Sequence, residues 1–151
     1  MSRRKSVLLI TVPSDSHSWN LVFMDFLLGE WGYQIENMGP NTPVGDVVNW
    51  LKSNPCEMVV VSTVNGHGYI EGIEIARRVR GDAKFHGLLC VGGKICTEND
   101  PLTIARHSEA LKEAGFDGVF DDSVKNSFDY FQALVMETVE GGRSGVPNIR
   151  I

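Results

Sequence analysis

Cysteine is scarce in this sequence and follows no recognisable pattern. The 151 residues include three cysteines, Cys56, Cys90 and Cys96, and no pair of them has the C-x-x-C spacing of zinc and redox sites. An odd and sparse set excludes the disulfide framework of a small secreted domain. We therefore expect reduced thiols, with Cys90 inside a strand.

Basic residues and long apolar runs are also lacking. The 14 Lys and Arg residues are outnumbered by 19 Asp and Glu, for a formal net charge of -5. Nucleic acids and anionic membranes attract clustered Lys and Arg, and the short basic run at residues 3–5 is no such cluster. No apolar run approaches the roughly 20 residues of a membrane span, and the run at 7–12 is shorter than a signal-peptide core. We expect a cytoplasmic protein with neither nucleic acid nor membrane as a partner.

What the sequence does contain is a regular alternation of strand and helix patterns. Near-continuous apolar runs are typical of buried parallel strands, and Gly or Pro ends most of the helical patterns. The spacing predicts strands at 6–12, 33–38, 58–61, 88–91 and 118–120, and helices at about 20–31, 43–54, 70–80, 101–114 and 127–140. Asn20 and Asp100 are the expected N-caps of the first and fourth helices, and Gly32 the expected stop of the first. This order predicts an α/β, flavodoxin-like (Rossmann-like) doubly wound parallel sheet of strand order 2-1-3-4-5. We assign one domain, residues 1–140, and a loose tail, residues 141–151.

The loop after the first strand carries an acid and an imidazole. Its sequence is Ser14-Asp15-Ser16-His17-Ser18-Trp19-Asn20. A carboxylate two residues before a histidine can accept the proton of one ring nitrogen and leave the other nitrogen as a metal ligand. Alone this is a weak signal, because Asp-x-His is common by chance. The other histidines show no ligand spacing among themselves, and we expect them at the surface or in loops: His67, His86 and His107.

Two further motifs follow strands at the same sheet edge. Ser62-x-Val64 follows the third strand and Gly92-Gly93 the fourth. In the order 2-1-3-4-5 the ligand crevice opens at the carboxyl ends of strands one and three. Each motif alone is explained by an ordinary turn, but together they predict a binding site.

Together these motifs resemble the cobalamin-binding signature of cobalamin-dependent mutases and methyltransferases. The span from about residue 5 to residue 135 resembles the small subunit of glutamate mutase, also called methylaspartate mutase. The shared motifs are Ser14-Asp15-x-His17, Val61-Ser62, Gly66-x-Gly68, Val91-Gly92-Gly93 and Gly115-Phe116-Asp117. The chain departs from the pattern where Asn20 replaces a glycine, Asn65 a tyrosine, and Asp121-Asp122 a proline-containing turn.

The resemblance implies cobalamin bound base-off and His-on. His17 is then the metal ligand, below cobalt, with Asp15 behind it. The displaced nucleotide tail enters a slot between the sheet and its helices, where Ser62 hydrogen-bonds the benzimidazole and Val64 packs on it. The implied cofactor-binding residues are Ser14, Asp15, Ser16, His17, Ser18, Asn20, Ser62, Thr63, Val64, Gly92, Gly93, Lys94, Ile95, Cys96, Thr97 and Glu98. No residue of this chain is an expected catalytic residue.

The same resemblance implies the function. The chain is expected to be the cofactor-binding component of an adenosylcobalamin-dependent isomerase that converts L-glutamate to threo-3-methylaspartate by a radical rearrangement. The amino-acid substrate is expected on a separate, large TIM-barrel subunit, so the enzyme is a heteromer. The alternative is a corrinoid carrier for methyl transfer; such carriers usually have a helical cap before the cobalamin fold, and here the first strand begins at about residue 6. A signalling receiver is a third possibility, but the third strand ends without the phosphorylatable Asp that a receiver needs.

Overall fold

Five strands alternate with five helices, as predicted. The computed structural model describes residues 5–141, and the surroundings of side chains up to residue 137. The strands are β1 (Ser6–Ile10), β2 (Gln34–Asn37), β3 (Met58–Thr63), β4 (Leu88–Gly93) and β5 (Gly118–Asp121). The helices are α1 (Trp19–Glu30), α2 (Val44–Ser53), α3 (Gly68–Gly81), α4 (Pro101–Ala114) and α5 (Ser127–Gly141).

The strands form one parallel sheet in the order β2-β1-β3-β4-β5, which confirms the predicted topology. Residues of β1 alternate between its faces. Leu8 and Ile10 pack with α2, α3 and α4, while Val7 and Leu9 pack with α1 and α5. Because helices cover both faces, the inner strands β1, β3 and β4 contain continuous apolar runs rather than alternating patterns, whereas the edge strand β2 is polar and partly exposed.

Several strands end elsewhere than predicted. In the β3–β4 pair, Ser62 lies opposite Gly92 and Thr63 opposite Gly93, so the parallel ladder continues through residues that were expected to lie in loops. Conversely, β1 was expected to reach residue 12 but ends at Ile10. The backbone N–H of Thr11 donates to the Thr42 hydroxyl at 3.0 Å instead of to a neighbouring strand.

The helix ends show one wrong prediction and two confirmed ones. Ser18, not Asn20, is the N-cap of α1, and the Asn20 amide is used elsewhere. Gly32 ends α1 in a left-handed conformation (φ +97°), and the Asp100 carboxylate caps α4 by accepting from the Thr103 backbone N–H at 3.2 Å. Helix α3 begins at Gly68, earlier than the expected 70.

Apart from Gly141, the predicted tail lies outside the described residues. Among the described helices, none has both the length and the apolar character needed to cross a bilayer.

Candidate functional site

The loop between β1 and α1 holds the pairing of acid and imidazole that its spacing suggested. Asp15 is 0 % exposed, whereas the His17 side chain is 60 % exposed. Asp15 Oδ1 accepts from His17 Nδ1 at 2.7 Å and from the His17 backbone N–H at 3.0 Å. Because an ionised carboxylate can only accept, Nδ1 carries the ring proton, and in the neutral ring Nε2 keeps its lone pair. The exposed histidine can therefore act as a metal ligand through Nε2.

The second carboxylate oxygen fastens this loop to the end of β3. Asp15 Oδ2 accepts from the Thr63 hydroxyl at 2.7 Å, from the Val64 backbone N–H at 2.9 Å and from the Thr11 hydroxyl at 3.4 Å. Burial by itself raises the pKa of Asp15, but the accepted hydrogen bonds, of which that from Thr63 is the largest, outweigh burial and hold the pKa well below its usual range. The carboxylate is therefore ionised at neutral pH and orients the imidazole.

The start of the loop is tied to α3. Ser14 donates to the Glu71 carboxylate through its hydroxyl and through its backbone N–H, the latter at 3.2 Å. The Asn65 amide in turn donates to the Ser14 hydroxyl at 3.0 Å. Ser16 and Ser18 are exposed on the loop. Asn65, which departs from the family pattern, thus contributes to holding the loop in place.

A cavity of about 200 Å³ lies between the sheet and helices α1 and α5. Five of the residues expected at the binding slot line it: Asn20, Ser62, Val64, Gly92 and Gly93. Its remaining wall is largely aromatic and apolar, and includes Phe23, Met24, Cys90, Phe120, Phe128 and Phe131. Such a wall favours a flat apolar group over a charged one. These six residues were not predicted, because apolar residues that line a cavity recur at the same sequence spacing as apolar residues of the core.

The two glycines at the end of β4 lie close against the backbones of the neighbouring strands. Gly93 has φ +106°, and a Cβ there would lie 2.0 Å from the Thr63 carbonyl oxygen. A Cβ on Gly92 would lie 3.2 Å from the Phe120 carbonyl oxygen. The close approach of β4 to β3 therefore excludes a side chain at Gly93, and its approach to β5 leaves little room at Gly92, in addition to any demand made by a ligand.

Asn20 joins the first turn of α1 to the end of β3, where the cavity meets the His17 loop. Its Nδ2 donates to the Ser62 carbonyl oxygen at 2.9 Å and lies 3.1 Å from the Ser62 hydroxyl. The Asn20 Oδ1 atom is buried and has no hydrogen-bond partner among the described residues. The Ser62 hydroxyl therefore accepts from this amide, while its own O–H remains available to donate to a ligand.

Residues 94–98 lie away from this cavity, although they were expected along the slot. The backbone N–H of Gly66 donates to the Lys94 carbonyl at 3.2 Å, and that of Tyr69 donates to the Ile95 carbonyl at 2.9 Å. Ile95 packs in the core on the α3 and α4 side of the sheet. Cys96 is buried too, while Thr97 and Glu98 are exposed. The segment therefore turns toward α3 and α4, not toward α1 and α5.

Comparison with known proteins agrees with the motifs. No family model matches the sequence. The chain is 27% identical over 117 residues to "Glutamate mutase sigma subunit 1" of Haloarcula marismortui, covering 78% of this chain and 76% of that one. Further curated relatives, 24–28% identical, carry the same sigma-subunit name. The predicted resemblance to the small subunit of glutamate mutase is thereby confirmed.

Solved structures share the fold at lower identity. A cobalamin-binding protein from Desulfitobacterium hafniense has a TM-score of 0.65 at 18% identity, with 88% of this chain and 58% of that chain covered. A methanol:cobalamin methyltransferase complex from Methanosarcina barkeri also has a TM-score of 0.65, at 13% identity, with 97% of this chain and 50% of that chain covered. This chain thus spans 58% of the length of the first and half of the second.

Proposed function

We propose that this chain, which resembles the glutamate mutase sigma subunits over most of its length, is the cobalamin-binding component of an adenosylcobalamin-dependent carbon-skeleton mutase. The observation that carries the proposal is the exposed His17 imidazole, held through Nδ1 by the buried Asp15 carboxylate. That arrangement leaves Nε2 free as the lower ligand of the cofactor's cobalt. The carboxylate behind the ring fixes its orientation and raises its basicity, as the outer partners of metal-bound histidines do.

The cavity fits the part of cobalamin that His17 would displace. At about 200 Å³ it exceeds the roughly 150 Å³ of an apolar cavity that holds benzene, and its aromatic wall suits the bicyclic dimethylbenzimidazole. Ser62 offers a hydroxyl to the ring nitrogen of that base, and Val64 an apolar contact. The Ser62 hydroxyl can accept from the Asn20 amide and donate to the base at the same time. The residues that hold the cofactor are thus His17 at the metal and Ser62, Val64, Gly92 and Gly93 along the tail.

Adenosylcobalamin supplies a carbon radical by homolysis of its cobalt–carbon bond. The role of this chain is to bind the cofactor, to orient the imidazole beneath the metal and to keep the displaced base out of water. We assign the amino-acid substrate to a larger TIM-barrel subunit, so that the isomerase is a cytoplasmic heteromer converting L-glutamate to threo-3-methylaspartate. The sigma-subunit name of the curated relatives favours this assignment.

The alternative is a corrinoid carrier for methyl transfer, because a His17–Asp15 pair would serve either chemistry. The two functions are separated by mixing the chain with adenosylcobalamin, a glutamate mutase large subunit and glutamate, and by measuring 3-methylaspartate by NMR. We expect turnover only when both proteins are present, and we expect it to be lost in His17→Ala. His86 is an exposed histidine outside the site, so the matched control His86→Ala should keep the turnover. Cobalamin binding without turnover, together with methylation of the bound corrinoid by a methyl donor, would establish the carrier. Failure to bind cobalamin would contradict both.

A further inference from the structure

Three side chains of metal-binding type meet on the α3 and α4 side of the sheet, in a place that the cobalamin proposal does not use. Cys96 and Glu98 come from the loop after β4, and His107 comes from α4. One potential ligand atom from each lies within 4.8 Å of the other two. His107 Nε2 and Glu98 Oε1 are 3.4 Å apart. The sequence spacing gave no hint of this cluster, because the fold brings α4 back over the loop.

The distances between the three ligand atoms are close to those of a tetrahedral metal site. Zinc binds thiolate at about 2.3 Å and imidazole or carboxylate at about 2.0–2.2 Å, which puts neighbouring ligand atoms roughly 3.3–3.8 Å apart. The His107–Glu98 pair already has this separation. No pair of ligand atoms is more than 4.8 Å apart. The widest pair therefore has to approach by about 1.5 Å at most, and the Glu98 side chain, which is 51 % exposed, has room to change rotamer.

The other two ligands are already held in position. The His107 ring stacks on Tyr69 with 3.8 Å between ring centroids, and the His107 side chain is 21 % exposed. Cys96 is 4 % exposed and follows Ile95, whose carbonyl is bound by the Tyr69 backbone N–H. Both therefore rest on the start of α3. A metal site requires ligands that are held in place by packing, and these contacts supply it for both residues.

We propose that Cys96, Glu98 and His107 form a second metal site, for Zn²⁺ or a divalent ion of similar ligand preference, with water as the fourth ligand. Thiolate, imidazole and carboxylate form a donor set typical of zinc, whereas Mg²⁺ and Ca²⁺ prefer oxygen alone. Bound metal would fasten the loop after β4 to α4 and stabilise the folded chain. The site is independent of cobalamin, since it uses neither His17 nor the cavity between α1 and α5.

Cobalt(II) ion is the probe for this site, because a thiolate ligand gives it a charge-transfer absorption band. The full-length chain is stripped with a chelator and titrated with Co²⁺ and then with Zn²⁺. We expect one equivalent of Co²⁺ to produce the band and Zn²⁺ to remove it. Cys96→Ser should abolish the band, and Glu98→Gln and His107→Ala should each weaken binding on the order of 100-fold.

Matched variants make the outcome decisive. Cys56→Ser and His17→Ala should keep the band and the affinity, and the melting temperatures of the metal-free variants show whether each has folded. Absence of the band in the wild-type chain, or its survival in folded Cys96→Ser, would overturn the proposal. Cobalamin binding, measured separately, should be retained in His107→Ala and lost in His17→Ala, so failure of one proposal is distinguishable from failure of the other.

Discussion

Replacing Asp15 by Asn removes a charge from the centre of the candidate site while keeping the side-chain shape. The carboxylate accepts at both oxygens, whereas an amide accepts at one and donates at the other. One oxygen faces the His17 backbone N–H at 3.0 Å and the other faces the Val64 backbone N–H at 2.9 Å. In either orientation the new NH₂ group therefore faces a backbone N–H that cannot become an acceptor.

The magnitude follows from the bonds lost. A hydrogen bond to a charged group contributes about 1.5–3 kcal/mol, and an unsatisfied buried donor costs about 1–3 kcal/mol. If the NH₂ faces Val64, the Thr63 hydroxyl can rotate to accept, but the Val64 N–H loses its partner. If it faces His17, the imidazole can accept at Nδ1 only by moving its proton to Nε2. We expect Asp15→Asn to reduce the free energy of unfolding by about 2–4 kcal/mol at pH 7, and cobalamin affinity by about 10–100-fold.

Acid should shrink this difference in stability. The pKa of folded Asp15 lies well below the roughly 3.9 of an unfolded aspartate. A depressed folded pKa contributes stability that is complete above the unfolded pKa and is lost as the pH falls toward the folded pKa. The gap between the wild-type chain and Asp15→Asn should therefore be constant from about pH 5 to 8 and should narrow below about pH 4.

Urea unfolding at a series of pH values measures the gap, and ¹⁵N chemical shifts of the His17 ring report its tautomer. Asp100→Asn is the matched control, because Asp100 caps α4 at the surface and Asn is as good an N-cap as Asp. It should change stability by less than about 0.5 kcal/mol. If Asp15→Asn is equally mild, or if the gap widens on acidification, the assigned role of the carboxylate is refuted.

Two further substitutions test the surroundings of the cavity. Gly93→Ala should destabilise the fold by about 3 kcal/mol or more in the urea assay, because the new Cβ would lie 2.0 Å from the Thr63 carbonyl oxygen. The control is Gly45→Ala, which has open space around it in α2 and should stabilise the fold by about 0.5–1 kcal/mol. A mild Gly93→Ala would contradict the described backbone. Asn20→Gly should cost about 1–2 kcal/mol of stability, because the bonds to Ser62 are lost and glycine has the weaker helix propensity. It should nevertheless tighten cobalamin binding in an absorbance titration, because it removes a side chain that lines the cavity beside Ser62. Weaker binding would indicate that the Asn20 amide itself contacts the tail.

The fold was predictable because its signals are local. Apolar runs such as residues 58–61 are long enough to identify buried strands, and glycines such as Gly32 end helices by their own conformational freedom. The ends of β3 and β4 were not predictable, because the pairing of Ser62 with Gly92 depends on backbone register rather than on side-chain type. The N-cap of α1 was misassigned because Asn20 bonds a residue 42 positions away instead of its own helix.

In the candidate site, too, local contacts were predictable and long-range contacts were not. The spacing of Asp15 and His17 predicts their contact, since two residues in one loop need no help from the rest of the chain. The Thr63 hydroxyl on Asp15 comes from 48 positions away, and its role as a brace for that carboxylate could not be read from a local pattern. His107 was expected at the surface or in a loop, but it lies in α4 against Tyr69 and beside Glu98, where only the packing of α3 on α4 places it.

The central claim, that His17 coordinates cobalt in place of the cofactor's own base, is tested most directly by electron paramagnetic resonance of cob(II)alamin bound to the protein. Labelling the protein with ¹⁵N should change the nitrogen splitting of the cobalt signal, because the coordinating nitrogen then belongs to the protein. That change should be absent in His17→Ala and present in His86→Ala. A splitting that is the same with ¹⁴N and ¹⁵N protein would show benzimidazole still bound to its own metal and would contradict the account.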